Sequence, residues 1–152
     1  MMRFVPLRID DLEPGDPRLE AEVLPVLREL RQHITPASFA AVYAEGHPHG
    51  LRFTAAYDGD QCVGVAGWRI VACTVAIRRL YVDDLVTTAT NRSTGVGRAL
   101  LADLEGRARA AGCTLLDLDS GVHRHDAHRF YLRERMAISA HHFTKQLDTQ
   151  PG

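Results

Sequence analysis

The stretch from Asn91 to Leu101, NRSTGVGRALL, sets Gly95 and Gly97 between Arg92 and Arg98 where a strand-like run gives way to a helical one. Before it, VAIRRLYVDDLVT (Val75 to Thr87) reads as a strand. After it, Val96, Leu100, Leu104, Ala108 and Ala111 recur at helical spacing as far as Gly112, and LLDL follows as a short, nearly continuous apolar strand. Strand, glycine turn, helix and strand make a βαβ unit, which puts the chain in the α/β class.

The turn itself, R-x-x-G-x-G, has a chemical reading. At a strand-to-helix junction the first helical N–H groups lack partners and the helix dipole favours an anion, so phosphate is the natural ligand. Glycines let the backbone approach that ligand closely, and Arg92 and Arg98 add charge. The order of glycines does not fit the dinucleotide fingerprint G-x-G-x-x-G, and no Walker Gly-Lys-Ser/Thr is present. A helix-start turn without a ligand is the plain alternative.

The remaining elements surround this unit. Arg3 to Ile9 reads as a first strand, broken by PGDP. Leu19, Val23, Val26, Leu27 and Leu30 form an apolar helical stripe, with Pro25 kinking the helix or marking its true start. Thr35 and Pro36 read as N-cap and first-turn proline of a second helix closed by Gly46. LRFTAAYD and QCVGVAGWRI, joined at Gly59 between aspartates, read as an antiparallel hairpin. In the next strand the apolar spacing slips from Leu80 and Val82 to Leu85, a three-residue step that predicts a β-bulge near Asp83 and Asp84. HRHDAHRFYLRER reads as an amphipathic helix and MAISAHHFTKQL as a last strand, giving the order βααβββαβαβ in one domain over residues 1–152.

Composition narrows the function classes. With 18 Lys and Arg against 19 Asp and Glu the chain has no general pull toward nucleic acid or anionic membrane. No apolar run approaches a membrane span, the start lacks the apolar region of a secretion signal, and Cys62, Cys73 and Cys113 form neither a disulfide framework nor a zinc ribbon. A cytoplasmic location with no membrane or nucleic-acid partner is expected.

LYVDDLVTTATNRSTGVGRALL resembles motif A of the GCN5-related N-acetyltransferase (GNAT) superfamily, and HRFY resembles that family's helix ending in a tyrosine. The resemblance extends over nearly the whole chain. It implies the GNAT acyl-CoA N-acyltransferase fold: a mixed central sheet with splayed parallel strands 4 and 5 and helices on both faces. It also implies acetyl-CoA as co-substrate, an amine as acceptor, and direct attack in a ternary complex. The backbone of Leu85, Val86 and Thr87 would pair with pantetheine, and that of Arg92, Ser93, Thr94, Gly95, Val96, Gly97 and Arg98 would hold the pyrophosphate. Asp83 maps to the proposed base acting through water, with Asp84 in reserve, and Tyr131 to the acid that protonates the departing sulfur. Adjacent strand residues point to opposite faces unless a bulge alters that, so one of the two aspartates is expected to face the substrate. The chain departs from the family pattern at Ala89, Ser93, Arg124 and Arg135-Met136, where proline, glycine, asparagine and Gly-Phe are usual.

Two other classes stay open. One is a non-catalytic CoA-sensing module, to which the Arg124 and Arg135 departures point. The other is a metal site at His123, His125, His128, His141 and His142, although His-x-His-x-x-His lacks helical zinc spacing and no metal is expected. Cys113, beside Gly112 at a strand entry, reads as structural. The segment after Met136 is short for two closing strands, so an open sheet edge and a homodimer through it are expected, the alternative being a monomer whose tail folds back in a tight hairpin.

Overall fold

Asp58 and Gln61 close the hairpin around Gly59, whose φ of +61° supplies the left-handed residue the turn requires. From there the sheet builds outward. The computed structural model describes residues 6–92 and 94–148, and the chain divides into two compact units between Leu118 and Asp119.

The first unit holds a five-stranded sheet in the order β1 (Arg8–Leu12), β2 (Arg52–Asp58), β3 (Gln61–Cys73), β4 (Ile77–Thr87), β5 (Leu115–Leu118). Neighbours from β1 to β4 are antiparallel, whereas β4 and β5 are parallel, as the βαβ unit requires. One face is covered by a π-type turn (Leu19–Val23), helix α1 (Leu24–Leu27) and helix α2 (Pro36–Gly46), and these bury Leu24, Leu27, Phe39 and Tyr43 against Phe53, Ala55, Val65 and Val86. Helix α3 (Val96–Ala110) covers β3 and β4 on the other face with Val96, Leu100, Leu104 and Ala108 buried. Beneath it, Trp68 donates to Thr54 Oγ1 at 3.0 Å, Thr54 donates to Asp11 at 2.9 Å, and Arg107 of α3 grips Asp11 through two nitrogens. A buried polar group is tolerated when it is bonded, and this chain of bonds ties α3 to three strands.

Four expectations need correction. The first strand is Arg8–Leu12, not Arg3 to Ile9, whose first three residues lie outside the described residues. Pro6 cannot donate to a ladder, and the acidic stretch stays in the strand because arginines neutralise it: Asp10 meets Arg8 and Arg18, each at 3.0 Å. The stripe from Leu19 to Leu30 is not one helix, and Pro25 marks the true start of α1, one of the two outcomes its place in the stripe allowed. Pro25 lacks the N–H that would bond Ala21, so the chain makes an i→i+5 turn, Leu24 N to Leu19 O, and then a single helical turn. Thr35 is the N-cap of α2 with Pro36 in its first turn, as the sequence predicts, and the structure adds a reciprocal capping box with Ser38, yet Gly46 does not end the segment. A 3₁₀ turn (His47–His49) continues it to Gly50, where φ reaches +100°; Gly46 is small because a Cβ there would stand 2.8 Å from Leu51.

The second unit holds helix α4 (His125–Arg133) and no strand among its described residues. The last strand expected over MAISAHHFTKQL is absent, and the large apolar side chains of the segment, Ile138, Phe143 and Leu147, are 75%, 92% and 73% exposed. A strand needs ladder partners, and this segment has none within the described chain.

Candidate functional site

The bulge lies where the three-residue step placed it. Gly67 pairs with Asp84 and Trp68 with Val82, leaving Asp83 as the extra residue on β4. Its consequence is chemical. Asp83 Oδ1 and Oδ2 accept from Arg69 at 3.0 and 2.9 Å, and Asp84 Oδ2 lies 3.1 Å from the position of a Cβ on Gly67. Gly67 and Arg69 are two apart on β3 and share a face, so both carboxylates stand on that face. The expectation that alternation separates them does not hold here, because the extra residue cancels one step of it.

Their environments differ. Asp83 is gripped by both arms of the Arg69 guanidinium. Asp84 is only 14% exposed, accepts from Arg31 Nε at 2.7 Å, and sits beside the Phe53 ring that also crowds Gly67. Burial pushes its carboxyl above the ordinary carboxylate range, with Arg31 pulling the other way.

Past the bulge, β4 has an open edge. Its pairing with β5 runs only from Arg79 opposite Leu115 to Val82 opposite Leu118, yet β4 continues to Thr87. Leu85, Val86 and Thr87 pair with β3 on one side, and their other side lies beyond the last β5 partner. The chain then makes a 3₁₀ turn (Ala89–Asn91) fixed by Asn91 N to Thr88 O at 2.9 Å, and Ala89 N donates to Glu29 Oε1 at 3.0 Å. Gly95, at φ +91°, precedes the first residue of α3, and among the described residues no side chain caps that helix. The first helical bond is Ala99 N to Gly95 O, so the N–H groups of Val96 and Gly97 precede the ladder. Arg92 and Thr94 are exposed on this turn, and Ser93 lies outside the described residues. A strand edge without a partner among the described residues, running into a helix start that none of them caps, with arginines beside it, fits an extended polar ligand that ends in a phosphate. What fixes the helix start in this place is Gly64: a Cβ there would stand 2.7 Å from Val96 Cγ1 and 2.9 Å from Leu100 Cδ1.

In the second unit, Tyr131 lies in the last turns of α4, with its ring edge-on to Phe130 at 5.4 Å. Burial holds its phenol above the ordinary range while Arg124 pulls it down, so the hydroxyl is a neutral proton donor at pH 7. His128 Nε2 lies 2.8 Å from Gly121 O, and His142 lies 3.5 Å from Asp119. Among the described residues no three His, Cys, Asp or Glu side chains gather as a metal group, and no helix is long and apolar enough to cross a membrane. Four residues of the first unit escape a reading by pattern. Arg31, Arg69, Glu29 and Gly64 belong to no motif, and only Gly64, a glycine inside a strand run, carries a local sign of close backbone approach.

The model of the acetyltransferase (GNAT) family matches residues 17–136. An aminoalkylphosphonate N-acetyltransferase of Salmonella typhimurium is 44% identical over 66 residues, a stretch that covers 43% of this chain and 43% of that protein. The match therefore spans less than half the length of that relative. Among solved structures, a transcriptional regulator from Bacillus halodurans superimposes with a TM-score of 0.79 at 20% identity, covering 92% of this chain and 100% of its own. AAC(6')-Iy in complex with the bisubstrate analog CoA-S-monomethyl-acetylneamine does so with a TM-score of 0.79 at 12% identity, covering 94% and 99%. At these identities the structural likeness establishes the fold.

Proposed function

The chain belongs to the acetyltransferase (GNAT) family, and from that premise we propose that it transfers the acetyl group of acetyl-CoA to a primary amine by direct attack in a ternary complex. The observation that carries this reading is the parting of β4 from β5 after Val82, which leaves Leu85 to Thr87 with an open edge leading to the uncapped start of α3. Leu85, Val86 and Thr87 offer backbone groups to a pantetheine amide, as an added strand would. Arg92, Thr94, Gly95, Val96, Gly97 and Arg98, with Ser93 between them in sequence, hold the pyrophosphate.

When bound, acetyl-CoA supplies the acetyl thioester and leaves as the free thiol. The acceptor reaches the site as an ammonium and must lose a proton before its lone pair can form the amide bond. Asp84 takes that proton in preference to Asp83. Both oxygens of Asp83 are held by Arg69, whereas the raised affinity of Asp84 for a proton brings it closer to the working pH. Tyr131 gives its phenolic proton to the sulfur as the C–S bond breaks. A backbone N–H near Val86 faces the charge that develops on the thioester oxygen.

The free thiols Cys62, Cys73 and Cys113 suit a reducing compartment, the cytoplasm. The exposed Ile138, Phe143 and Leu147 support a homodimer in which the C-terminal segment finds its partner in a second copy. One observation favours a second reading, a CoA-binding module without turnover: both aspartates are already paired with arginines. Following free thiol while acetyl-CoA is offered a panel of amines decides between the two. An aminoalkylphosphonate belongs in the panel because the Salmonella relative is named for that substrate. Thiol release that depends on an amine and is lost in Asp84→Asn supports transfer. Tight acetyl-CoA binding with no release for any amine leaves the module.

A further inference from the structure

The connection from α1 to α2 reaches both β4 and the turn that follows it. Glu29 Oε1 accepts from Ala89 N at 3.0 Å. Two residues further on, Arg31 donates from Nε to Asp84 Oδ1 at 2.7 Å and from Nη2 to the Asp83 carbonyl at 3.0 Å. Glu29 and Arg31 thus bracket the length of β4 that continues past its pairing with β5. The backbone of Arg31 is itself held, its N–H by Leu27 O at 2.8 Å and its carbonyl by Ile34 N at 3.2 Å, and Leu27 is buried in the core. A planar guanidinium presented from a fixed support and bonded through two nitrogens has little freedom left to rotate.

We propose that Arg31 is a positioning residue for acetyl transfer, holding the Asp84 carboxylate beside the open edge of β4 by bonding it and the neighbouring carbonyl at once. This rests on the reading of Asp84 as the base. Among the described residues the charged groups facing Asp84 are Arg31 from the α1–α2 connection, Arg69 from β3 and Asp83 on β4 itself, while β2 contributes the apolar Phe53. Burial and the Asp83 charge favour the protonated acid; Arg31, and more weakly Arg69, favour the carboxylate. Arg31 alone among these is bonded to it. Without Arg31 the carboxyl keeps its proton to higher pH and loses its fixed orientation, so two properties of a base fail together.

The test is kcat/KM against pH at saturating acetyl-CoA for the wild type, Arg31→Gln, Arg31→Lys, Glu29→Ala and Asp84→Asn, with a melting curve for each. Arg31→Gln moves the acidic limb to higher pH and lowers kcat about tenfold to a hundredfold, the cost of a base displaced by part of an ångström. Arg31→Lys keeps the charge but not the planar fork, so it restores the limb and recovers only part of kcat. Glu29→Ala loosens the same connection without touching Asp84 and leaves the limb at its wild-type pH. An Arg31→Gln profile that superimposes on the wild type, while Asp84→Asn is inactive, overturns the role of Arg31 and leaves Asp84 as the base. A shift in Glu29→Ala equal to that in Arg31→Gln also overturns it, because general loosening then accounts for both. Full activity in Asp84→Asn removes the base reading, and the role of Arg31 falls with it.

Discussion

Replacing Gly64 by alanine tests whether the phosphate turn is positioned by the closest approach of helix to sheet. The new methyl group would stand 2.7 Å from Val96 Cγ1, 2.9 Å from Leu100 Cδ1 and 3.4 Å from Val86 O. Carbon atoms pack at about 3.5–4.0 Å, so the Val96 contact has to open by about 1 Å. Leu100 can turn its end aside. Val96 is β-branched and held to one rotamer in a helix, so the start of α3 lifts instead. Overpacking of this kind costs about 1–3 kcal/mol and lowers the melting temperature by several degrees. A lift of even half that distance stretches a 2.9 Å N–H···phosphate bond toward the 3.5 Å at which it ceases to count. Each charged hydrogen bond lost is worth about 1.5–3 kcal/mol, so acetyl-CoA affinity should fall by about tenfold to a hundredfold. Calorimetric titration and thermal melts measure the two effects on the same samples. A destabilised Gly64→Ala protein that binds acetyl-CoA as tightly as the wild type would show that the start of α3 does not hold the ligand.

The same helix supplies a control: a Cβ on the exposed Gly106 meets nothing within 4 Å. Gly106→Ala should therefore stabilise the protein by up to about 1 kcal/mol in urea titration without changing acetyl-CoA affinity. Tyr131→Phe should lower kcat by about one to three decades and leave acetyl-CoA affinity alone; full activity would make the tyrosine structural. Asp11 predicts a pH effect. Burial pushes its carboxyl up, but hydrogen bonds from Arg107 and Thr54 outweigh that and hold it below the ordinary value. A lowered carboxyl contributes stability above its unfolded value near about 4 and loses it as pH falls through the folded one. The stability gap between wild type and Arg107→Gln should thus be full at pH 7 and shrink from about pH 4 downward; a gap independent of pH would contradict the ion pair. For assembly, light scattering at micromolar concentration should report twice the chain mass of 16.8 kDa, and a single-chain mass removes the dimer.

Features written in neighbouring residues were legible, and those made by distant ones were not. The bulge shows in the step from Val82 to Leu85, the hairpin in Gly59, and the helix start in Gly95. Each is a local backbone requirement that only certain residues meet. That Asp83 and Asp84 share a face follows from the bulge, but choosing between them needed Arg31 and Arg69, which lie 53 and 14 residues from their partners. No spacing rule connects residues that meet only after the sheet has formed. The acidic end of β1 misled for a similar reason, since Arg18 and Arg107, 8 and 96 residues away, neutralise it. The last strand failed because alternation in MAISAHHFTKQL records what could pair, whereas a strand exists only where a partner does.

Amide hydrogen exchange with and without acetyl-CoA reads the proposed ligand path directly. Binding should slow exchange in peptides that cover Leu85 to Thr87 and the start of α3 at Val96 and Gly97, because these N–H groups would then donate to pantetheine and pyrophosphate. Gly97→Leu should abolish that protection without unfolding the domain. Saturating acetyl-CoA that leaves both segments exchanging at their free rates would contradict the assignment of β4 and the α3 turn as its site.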